Sequence, residues 1–332
     1  MFSAIYIEKE VRDHPRVMEI RARFSGLPII ECERYGEVFN RNGQNFRIQK
    51  SLPALILAKK HGNLVLPTPE GYGFDGKESY YFSHMLNCVY DCRYCFLQGM
   101  YRSSNTVLFV NYEDFYEGIK EHIVAAQGEG NYYSGYDCDS LALEPISHFC
   151  EFFLPLFHDY PNAVMEIRTK STQVRGLLER SAIPNVVTAM SFSSEMASKR
   201  WEHKVPSIDK RLDALVKLQA KGWPIALRFE PIVFSETVIE EYVALFEKVF
   251  SMLDAQQIHS VSLGEFRMPT EFHKTITKLY PDEALYAQPI KVRDGMVSLR
   301  DKGKDEDCKS TIERLENLVH QYISPEQYYR CA

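Results

Sequence analysis

The sequence predicts an α/β fold in which six tandem β–α units form a barrel or partial barrel. Between residues 80 and 280, short β-like runs alternate with amphipathic segments of helix length, which implies parallel strands joined by right-handed crossovers. A length of 332 residues suits one barrel with additions at both ends. No glycine motif for a dinucleotide is present, and this disfavours a flat, doubly wound sheet.

Each predicted strand is followed by apolar residues at helical spacing. Phe115, Ile119 and Ile123 mark the first helix, and residues 238–249 carry the strongest stripe. Loops after the C-terminal ends of strands hold the functional residues of a barrel, so side chains at these positions are the candidates for a site. The predicted strands are residues 80–86, 132–137, 164–169, 186–192, 225–233 and 260–266.

The sequence divides into three predicted parts. Residues 1–78 form an N-terminal appendage of short apolar segments and a linker rich in proline and glycine. Residues 79–280 form the barrel, and residues 281–332 form a C-terminal hairpin and helix. Asp294-Gly295 lies between two β-like runs, which is a strong signal for a two-residue hairpin turn. The last helix runs through Ile312, Leu315 and Val319.

Composition sets limits on partners and location. The net charge is −6, whereas a protein whose main task is to wrap nucleic acid is usually basic, so only a local basic patch would serve DNA. Neither a signal peptide nor a membrane-length apolar run is evident, so a cytoplasmic protein with no membrane partner is expected. The oligomeric state is not predicted.

Three of the eight cysteines, Cys88, Cys92 and Cys95, lie within one short loop after the first predicted strand. In a reducing compartment this clustering indicates metal binding rather than disulfides. The spacing C-x3-C-x2-C supplies three thiolates to a [4Fe–4S] cubane and leaves one iron open. That iron can chelate S-adenosylmethionine (SAM), and one electron then cleaves the sulfonium.

Zinc and chance are the alternatives for this motif. Structural zinc takes four ligands, and His84 is close enough in sequence to be considered as the fourth. The spacing is not that of a zinc finger, however, and it is rare by chance. The motif therefore favours an iron–sulfur cluster.

The segment from Cys88 to Gln98, CVYDCRYCFLQ, resembles the motif of the spore photoproduct lyase family of radical SAM proteins. An aromatic residue before the last cysteine and Leu-Gln after it are typical of that family. The likeness covers most of residues 5–330 and includes the segments 191–193, 209–212 and 228–232, the segment around Arg267, and the closing pair 328–329.

The resemblance implies a partial (β/α)6 radical SAM barrel with a small N-terminal appendage and a C-terminal hairpin plus helix. It implies a DNA-repair lyase that uses a [4Fe–4S] cluster and SAM, with damaged DNA as substrate and an electron donor of the flavodoxin or ferredoxin type. In this family a 5′-deoxyadenosyl radical removes hydrogen from a methylene-bridged thymine dimer, the bridge fragments, and a cysteine thiol quenches the product radical. The lesion must leave the duplex to reach the site.

Two residues depart from the family pattern. Phe96 stands where the family has tyrosine, and Tyr136 aligns with the family's hydrogen-donor cysteine, with Cys138 two residues later. Cys138 could act from this neighbouring position, or the site could serve another lesion; alternatively, Cys138 is a small buried hydrophobe. It is the only cysteine outside the motif that we predict at the C-terminal end of a strand.

Other strand-end residues are predicted to bind SAM. Lys170 matches a SAM-contacting lysine of the family, although a solvated lysine is the alternative. Ser193 and Glu230 could hydrogen-bond the SAM amine or ribose, or simply cap their strands. Tyr94 and Phe96 are expected to pack against SAM or the cluster, with a place in the core as the alternative.

Basic residues at the predicted mouth are candidates for DNA binding. Arg228 and Arg267 could grip a phosphate, or form internal salt bridges. Lys291, Arg293 and Arg300 belong to a basic patch around the hairpin, which the family places beside its lesion; solvated surface charges are the alternative. Two other functions stay open at this point, a radical SAM enzyme for another damaged base, RNA or protein, and an iron–sulfur electron carrier without enzymatic activity.

Overall fold

Two main β-sheets organise the chain: an eight-stranded sheet that curls into a half-barrel, and a five-stranded sheet built mostly from N-terminal strands. This is a computed structural model that describes residues 2–69, 77–299 and 305–331, the side chains of residues 305–308 excepted. Within those ranges, no helix is both long enough and apolar enough to span a membrane.

The half-barrel contains all six predicted strand regions, joined as parallel neighbours. Two further strands flank them, one parallel at the C-terminal edge and one antiparallel at the other edge. The predicted partial barrel is thereby confirmed. In spatial order the strands are Tyr328–Arg330, Ile258–Glu265, Ile225–Ile232, Val186–Phe192, Ala163–Thr169, Gly130–Ser134, Ser79–Phe82 and Leu66–Pro67.

Helices cover the outer face of the half-barrel and bury their apolar stripes against it. The predicted stripe of Phe115, Ile119 and Ile123 is fully buried, as is most of the stripe on the helix after the fifth strand. The helices are Pro15–Arg23, Phe46–Ser51, Leu97–Met100, Tyr112–Ala125, Glu144–Ser147, Phe149–Asp159, Arg175–Leu178, Glu195–Trp201, Ile208–Ala220, Val238–Met252, Thr270–Leu279 and Asp305–Val319, with short 3-10 turns at Lys9–Val11, Tyr35–Glu37, Ala255–Gln257, Ala284–Ala287 and Pro325–Gln327.

The first predicted strand, residues 80–86, is divided between the two sheets. Ser79–Phe82 joins the half-barrel, whereas Met85–Leu86 pairs antiparallel with Thr106–Phe109 in the other sheet. Ser83 and His84 between them are fully buried. The division was not predicted, because it follows from the pairing of each half with a different strand, which the local sequence does not show.

The five-stranded sheet starts from parallel N-terminal strands and ends on the two short strands that flank the cysteine loop. Its order is Ile29–Cys32, Ile5–Glu8, Leu55–Ala58, Thr106–Phe109 and Met85–Leu86. Leu55–Ala58 is wholly buried, and its residues pack in the same apolar core as the barrel helices. The division of the chain at residue 78 remains a prediction.

The predicted hairpin forms as Ile290–Arg293 and Met296–Leu299, with positive φ at Asp294 (48°) and Gly295 (77°). A two-residue turn with left-handed backbone at both positions matches the strand twist and favours this Asp-Gly pair. Arg267–Pro269 adds to Met296–Leu299 as a third antiparallel strand. The hairpin is thus joined to the segment between the strand and the helix of the barrel's last predicted β–α unit.

Candidate functional site

A cavity of about 520 Å³ lies at the C-terminal ends of the half-barrel strands. Its walls are formed by the cysteine loop, by residues after several barrel strands, by the sheet that carries the hairpin, and by Lys50 and Pro69 from the N-terminal region. Loops at this end hold the functional residues of parallel barrels. Seven of the predicted site residues other than the cluster cysteines line it, namely Tyr94, Phe96, Tyr136, Cys138, Lys170, Glu230 and Arg267.

The cysteine loop, residues 87–96, is held in place by hydrogen bonds between polar side chains and backbone groups. Asn87 adopts a positive φ of 71°, and its side chain accepts from the backbone N–H of Cys88 at 2.9 Å and donates to the carbonyl of Ser103 at 2.7 Å. Gln98 donates to the carbonyl of Cys92 at 2.6 Å. These bonds fix the backbone of the loop, and its three thiols line the cavity.

The three thiols fit a [4Fe–4S] cluster by their chemistry. All three line one cavity, with the ammonium groups of Lys50 and Lys170 near enough to act on their charge. Among the described side chains, no group of three or more His, Cys, Asp and Glu is placed to hold a single metal ion. A cubane does not need such convergence, because each thiolate ligates a different iron.

His84, considered from the sequence as a fourth zinc ligand, lies elsewhere. It is fully buried, its ring centroid is 4.4 Å from that of Phe149, and burial lowers its pKa to about 3. A neutral histidine packed among aromatic rings belongs to the core.

Glu202 is the centre of a buried polar network that braces the cysteine loop. Its strand Glu202–His203 pairs antiparallel with Asp91–Cys92. Its carboxylate accepts from Arg211 at 2.6 Å and from the hydroxyl of Tyr94, and it lies 4.0 Å from the Lys170 ammonium. Burial alone would raise the pKa of Glu202, but Arg211 and Lys170 hold it near 2. No spacing in the sequence points to this residue.

Ser193 belongs to this network rather than to the cavity lining. Its hydroxyl donates to Glu202 at 3.1 Å, lies 3.3 Å from the hydroxyl of Tyr94, and is fully buried. Ser193 is absent from the cavity lining, and its predicted contact with SAM stays a prediction. Ser191, two residues earlier on the strand, lines the cavity instead.

Lys50 reaches the cysteine loop from the N-terminal region. Its side chain is buried and donates to the carbonyl of Cys88 at 2.5 Å. Its helix Phe46–Ser51 therefore contacts the motif directly. The sequence alone contained no signal that would join these segments, which are 38 residues apart.

Lys170 and Asp139 occupy adjacent positions at the cavity. Asp139, which we did not single out from the sequence, accepts from the backbone N–H of Lys170 and from the hydroxyl of Thr169, both at 2.6 Å. Burial raises the pKa of Asp139, and these hydrogen bonds oppose the shift. It directly follows Cys138 after a strand, so the rule that selected Lys170 could also have found it.

An aromatic group surrounds Tyr136 at the cavity wall. Its ring centroid lies 4.5 Å from Tyr81 and 5.9 Å from Phe96, which itself stacks at 6.4 Å on Phe272. Burial, with the neighbouring carboxylate of Asp137, raises the pKa of Tyr136. The phenol therefore keeps its proton at neutral pH.

Two thiols outside the motif also line the cavity. Cys138 is 5% exposed and belongs to the main apolar core, and burial raises its pKa well above the ordinary value. Cys331 follows the strand Tyr328–Arg330 and is more accessible. Burial and the nearby Glu230 raise its pKa to about 12. The expectation that Cys138 alone would occupy such a position is wrong, because the last strand was not predicted to join the barrel.

Glu230 lines the cavity and belongs to a series of ion pairs that continues into the interior of the barrel. Its carboxylate accepts from Ser262 and lies 3.4 Å from Arg168, which pairs with Glu166 at 2.9 Å. Glu166 also pairs with Arg228 at 2.7 Å. Burial opposes ionisation of Glu166, but the two guanidinium groups lower its pKa to about 2.

Arg228 is not at the mouth. Its side chain is fully buried, paired with Glu166, and covered by the ring of Tyr329 at 5.1 Å. A guanidinium enclosed in this way cannot reach a phosphate. Of the two roles considered, the structure has the internal salt bridge, and the predicted phosphate contact is corrected.

The hairpin sheet presents its two faces to different surroundings, as strand alternation requires. Met268, Val297 and Leu299 on one face are buried, and Met268 and Leu299 belong to an apolar cluster. The other face carries the polar and charged side chains, and three of its members, Arg267, Pro269 and Met296, line the cavity. The residues of this second face are Arg267, Pro269, Lys291, Arg293, Met296 and Ser298.

Arg267 and Lys291 share this face in register with Ser298. Arg267 and Arg293 are exposed, and the latter lies 3.2 Å from Asp294 in a solvent-exposed pair. Arg300, Lys302 and Lys304 lie outside the described residues. The part of the basic patch that is described therefore faces the same side as the cavity.

A half-barrel with a C-x3-C-x2-C loop after its first strand, facing a cavity at the strand ends, defines the radical SAM class. The family model described as spore photoproduct lyase matches residues 2–324. The chain belongs to the spore photoproduct lyase family. Membership implies a [4Fe–4S] cluster, so the zinc alternative is set aside.

Relatives agree with this assignment over nearly the whole chain. Spore photoproduct lyase of Bacillus subtilis (strain 168) is 23% identical over 290 residues, which span 85% of this chain and 83% of that protein. A solved spore photoproduct lyase double mutant with bound AdoMet and dinucleoside spore photoproduct has a TM-score of 0.84 at 20% identity, covering 100% of this chain and 98% of the other. A complex of spore photoproduct lyase with the same dinucleoside gives 0.84 at 19% identity, with 99% of each chain covered.

Proposed function

We propose that this chain is a radical SAM lyase that reverses a thymine-dimer-type lesion in DNA, in the manner of spore photoproduct lyase. The observation that carries the proposal is one cavity that brings together three cluster cysteines, charged strand-end residues and the charged face of the hairpin sheet. An electron carrier without a substrate would need only the first of these.

Cys88, Cys92 and Cys95 hold the cluster in this proposal, and Tyr94, Phe96, Lys170 and Glu230 contact SAM. When bound, the cluster and SAM supply a 5′-deoxyadenosyl radical by reductive cleavage. Lys170 offers a cation and Glu230 an acceptor in the same cavity, which suits the carboxylate and the ribose or amine of SAM. The buried bonds of Glu202 and Glu166 orient these groups before SAM binds.

Damaged DNA is the proposed substrate, and the hairpin sheet is its proposed contact surface. Arg267, Lys291 and Arg293 supply the positive charge that a local DNA contact requires in a chain of net charge −6. We expect a cavity of about 520 Å³ to take a flipped lesion rather than a duplex, so that the lesion leaves the stack at a cost of a few kcal/mol.

The hydrogen that quenches the product radical is assigned to a group on the cavity wall. Cys138, Tyr136 and Cys331 are the candidates. Each keeps its S–H or O–H hydrogen at neutral pH, because burial raises its pKa. Cys331 and Tyr136 are more accessible than Cys138. We expect one of these two to be the principal donor.

A related lesion is the second candidate substrate. Phe96 and Tyr136 stand where the resembled family has tyrosine and cysteine, and both line the cavity. A wall with more aromatic surface suits a different damaged base.

We expect the protein to work in the cytoplasm with a flavodoxin or ferredoxin type of electron donor.

The test uses protein reconstituted anaerobically with iron and sulfide, SAM, dithionite and a panel of oligonucleotides that each carry one defined lesion. We expect 5′-deoxyadenosine without substrate and repaired thymine from a methylene-bridged dimer. Repair of a different lesion alone would select the second candidate. Failure to cleave SAM by a fully reconstituted protein would refute both.

A further inference from the structure

The segments that hold the cysteine loop from outside also form an unusual patch of surface. Ile48 and Leu52 are 71% and 52% exposed, and their i, i+4 spacing places them on one side of the helix Phe46–Ser51 and its end. Ile48 is the most exposed of the large apolar residues among the described side chains. Exposed apolar side chains that lie together with charged neighbours can form contact surfaces for other proteins, whereas isolated ones are common.

Positive charge accompanies these apolar residues. Arg47 is exposed beside them, with its guanidinium 5.3 Å from the Tyr280 ring. Lys204 is also exposed, and its ammonium donates to the carbonyl of Lys50 at 2.6 Å, which fixes it at the end of the same helix. We name the surface of Arg47, Ile48, Leu52 and Lys204 the donor face.

The donor face is connected to the cysteine loop on both sides. Lys50, on the same helix as Arg47 and Ile48, donates to the carbonyl of Cys88 at 2.5 Å. Lys204 directly follows the strand Glu202–His203, which pairs with Asp91–Cys92. A carrier bound here would lie near the cluster ligands. This favours electron transfer, because its rate falls steeply with distance.

We propose that the donor face docks a small acidic one-electron carrier protein of the flavodoxin or ferredoxin type; this rests on the proposed function, which requires an electron. In each cycle the reduced carrier gives up one electron, and the C5′–S bond of SAM breaks to give methionine and the 5′-deoxyadenosyl radical. An acidic partner is repelled by a chain of net charge −6 except at such a basic surface. Exposed apolar side chains favour a protein here over the sugar–phosphate backbone of DNA.

The experiment compares two sources of electrons for the same reconstituted protein. SAM cleavage is followed with dithionite, and separately with flavodoxin, its reductase and NADPH. Arg47→Glu with Lys204→Glu should raise the KM for reduced flavodoxin about tenfold and flatten its dependence on salt, while the dithionite rate stays within about twofold. Ile48→Ser with Leu52→Ser should raise that KM without changing the salt dependence.

Arg175→Glu with Lys217→Glu reverses two exposed charges elsewhere and is the matched control, expected to leave the flavodoxin KM unchanged. Parallel loss of the dithionite rate in the Arg47 and Lys204 variant would overturn the proposal, as would an unchanged KM. A selective loss of oligonucleotide affinity would instead make the donor face a nucleic-acid surface. Loss of a dimer, seen by sedimentation, would make it a contact between two copies. If the parent does not cleave SAM even with dithionite, the proposed function fails, and that result is distinct from all of these.

Discussion

On the cysteine-loop wall of the cavity the polar groups are buried and bonded to one another, whereas on the hairpin wall Arg267 and Arg293 are exposed and Lys291 is half-buried. Glu202, Arg211 and Ser193 have almost no solvent contact, and together they fix Tyr94. Arg267 and Arg293 on the opposite wall lie in solvent. The first wall is organised before any ligand binds, and the second is able to adapt to one.

This difference indicates how the two walls contribute to function. Buried ion pairs are strongly destabilising when one partner is removed, so changes on the cysteine-loop wall should affect stability and cluster binding. Exposed charges contribute little to stability, so changes on the hairpin wall should affect only substrate binding and its salt dependence.

The largest effect is expected from the three cysteines proposed to bind the cluster. Cys88→Ala, Cys92→Ala and Cys95→Ala should each abolish the cluster and SAM cleavage, because every thiolate is needed to hold a cubane with one open iron. Iron analysis and 5′-deoxyadenosine formation measure this. Cys32→Ala and Cys150→Ala should keep full iron content. A Cys92→Ala protein that retained four irons and cleaved SAM would contradict the assignment.

Two buried carboxylates allow the cysteine loop to be compared with the interior of the barrel. Glu202 lies beside the loop, and Glu166 lies on a barrel strand. Glu202→Gln and Glu166→Gln each leave a buried arginine without its carboxylate, so each should lower the free energy of unfolding by about 3–5 kcal/mol. Only Glu202→Gln should also lower the iron content, because only Glu202 bonds to Tyr94 and pairs with the strand of Cys92. Equal iron contents in the two variants would remove the special role of the brace.

The contribution of these two carboxylates to the free energy of unfolding should depend on pH. Each carboxyl has a pKa near 2 in the folded protein against an ordinary 4.5, so it contributes stability above about pH 4.5 that is lost as the pH falls toward 2. The stability difference between the parent and Glu166→Gln should therefore shrink between about pH 6 and about pH 3.5. Urea unfolding at both values measures it, and a constant difference would show that the carboxylate charge contributes nothing.

Removal of the hydrogen donor should change the product of repair rather than the rate of SAM cleavage. Cys331→Ala and Tyr136→Phe should each cleave SAM normally, and the variant that lacks the true donor should yield misquenched adducts in place of thymine. Cys138→Ala should have the smaller effect, because its thiol is the least accessible of the three. Chromatography of repaired oligonucleotides measures the products. Adducts from Cys138→Ala alone would restore the donor predicted from the sequence.

The smallest effect is expected on the hairpin wall. Lys291→Gln with Arg293→Gln should weaken binding of a lesion oligonucleotide and reduce the slope of log K against log salt by about 0.9 for each phosphate that is no longer neutralised. Stability, iron content and SAM cleavage without substrate should not change. Lys199→Gln with Lys217→Gln, two exposed lysines on outer helices, is the matched control. An unchanged slope in the hairpin variant would place the DNA-binding surface elsewhere.

The amino-acid sequence was sufficient to predict the class of fold, and it supplied the candidate cluster cysteines and several strand-end residues that line the cavity. Apolar periodicity reports which face of each element is buried, and this was enough for the barrel strands, most helices and the hairpin. The C-x3-C-x2-C spacing is local in the chain, so its meaning did not depend on distant contacts. Lys170 and Glu230 were found because strand ends meet at one edge of a parallel barrel.

Which charges are buried together, and which segments complete the site, depends on the tertiary structure. Glu202, Lys50 and Cys331 come from regions far from the motif in sequence, and pairing between such regions leaves no periodic signal. Arg228 and Ser193 occupy strand positions that suggested a ligand contact. Arg228 is instead paired with Glu166, and the hydroxyl of Ser193 donates to Glu202. The physical reason is that a polar side chain takes its role from the groups that surround it after folding, because burial without a partner is unfavourable.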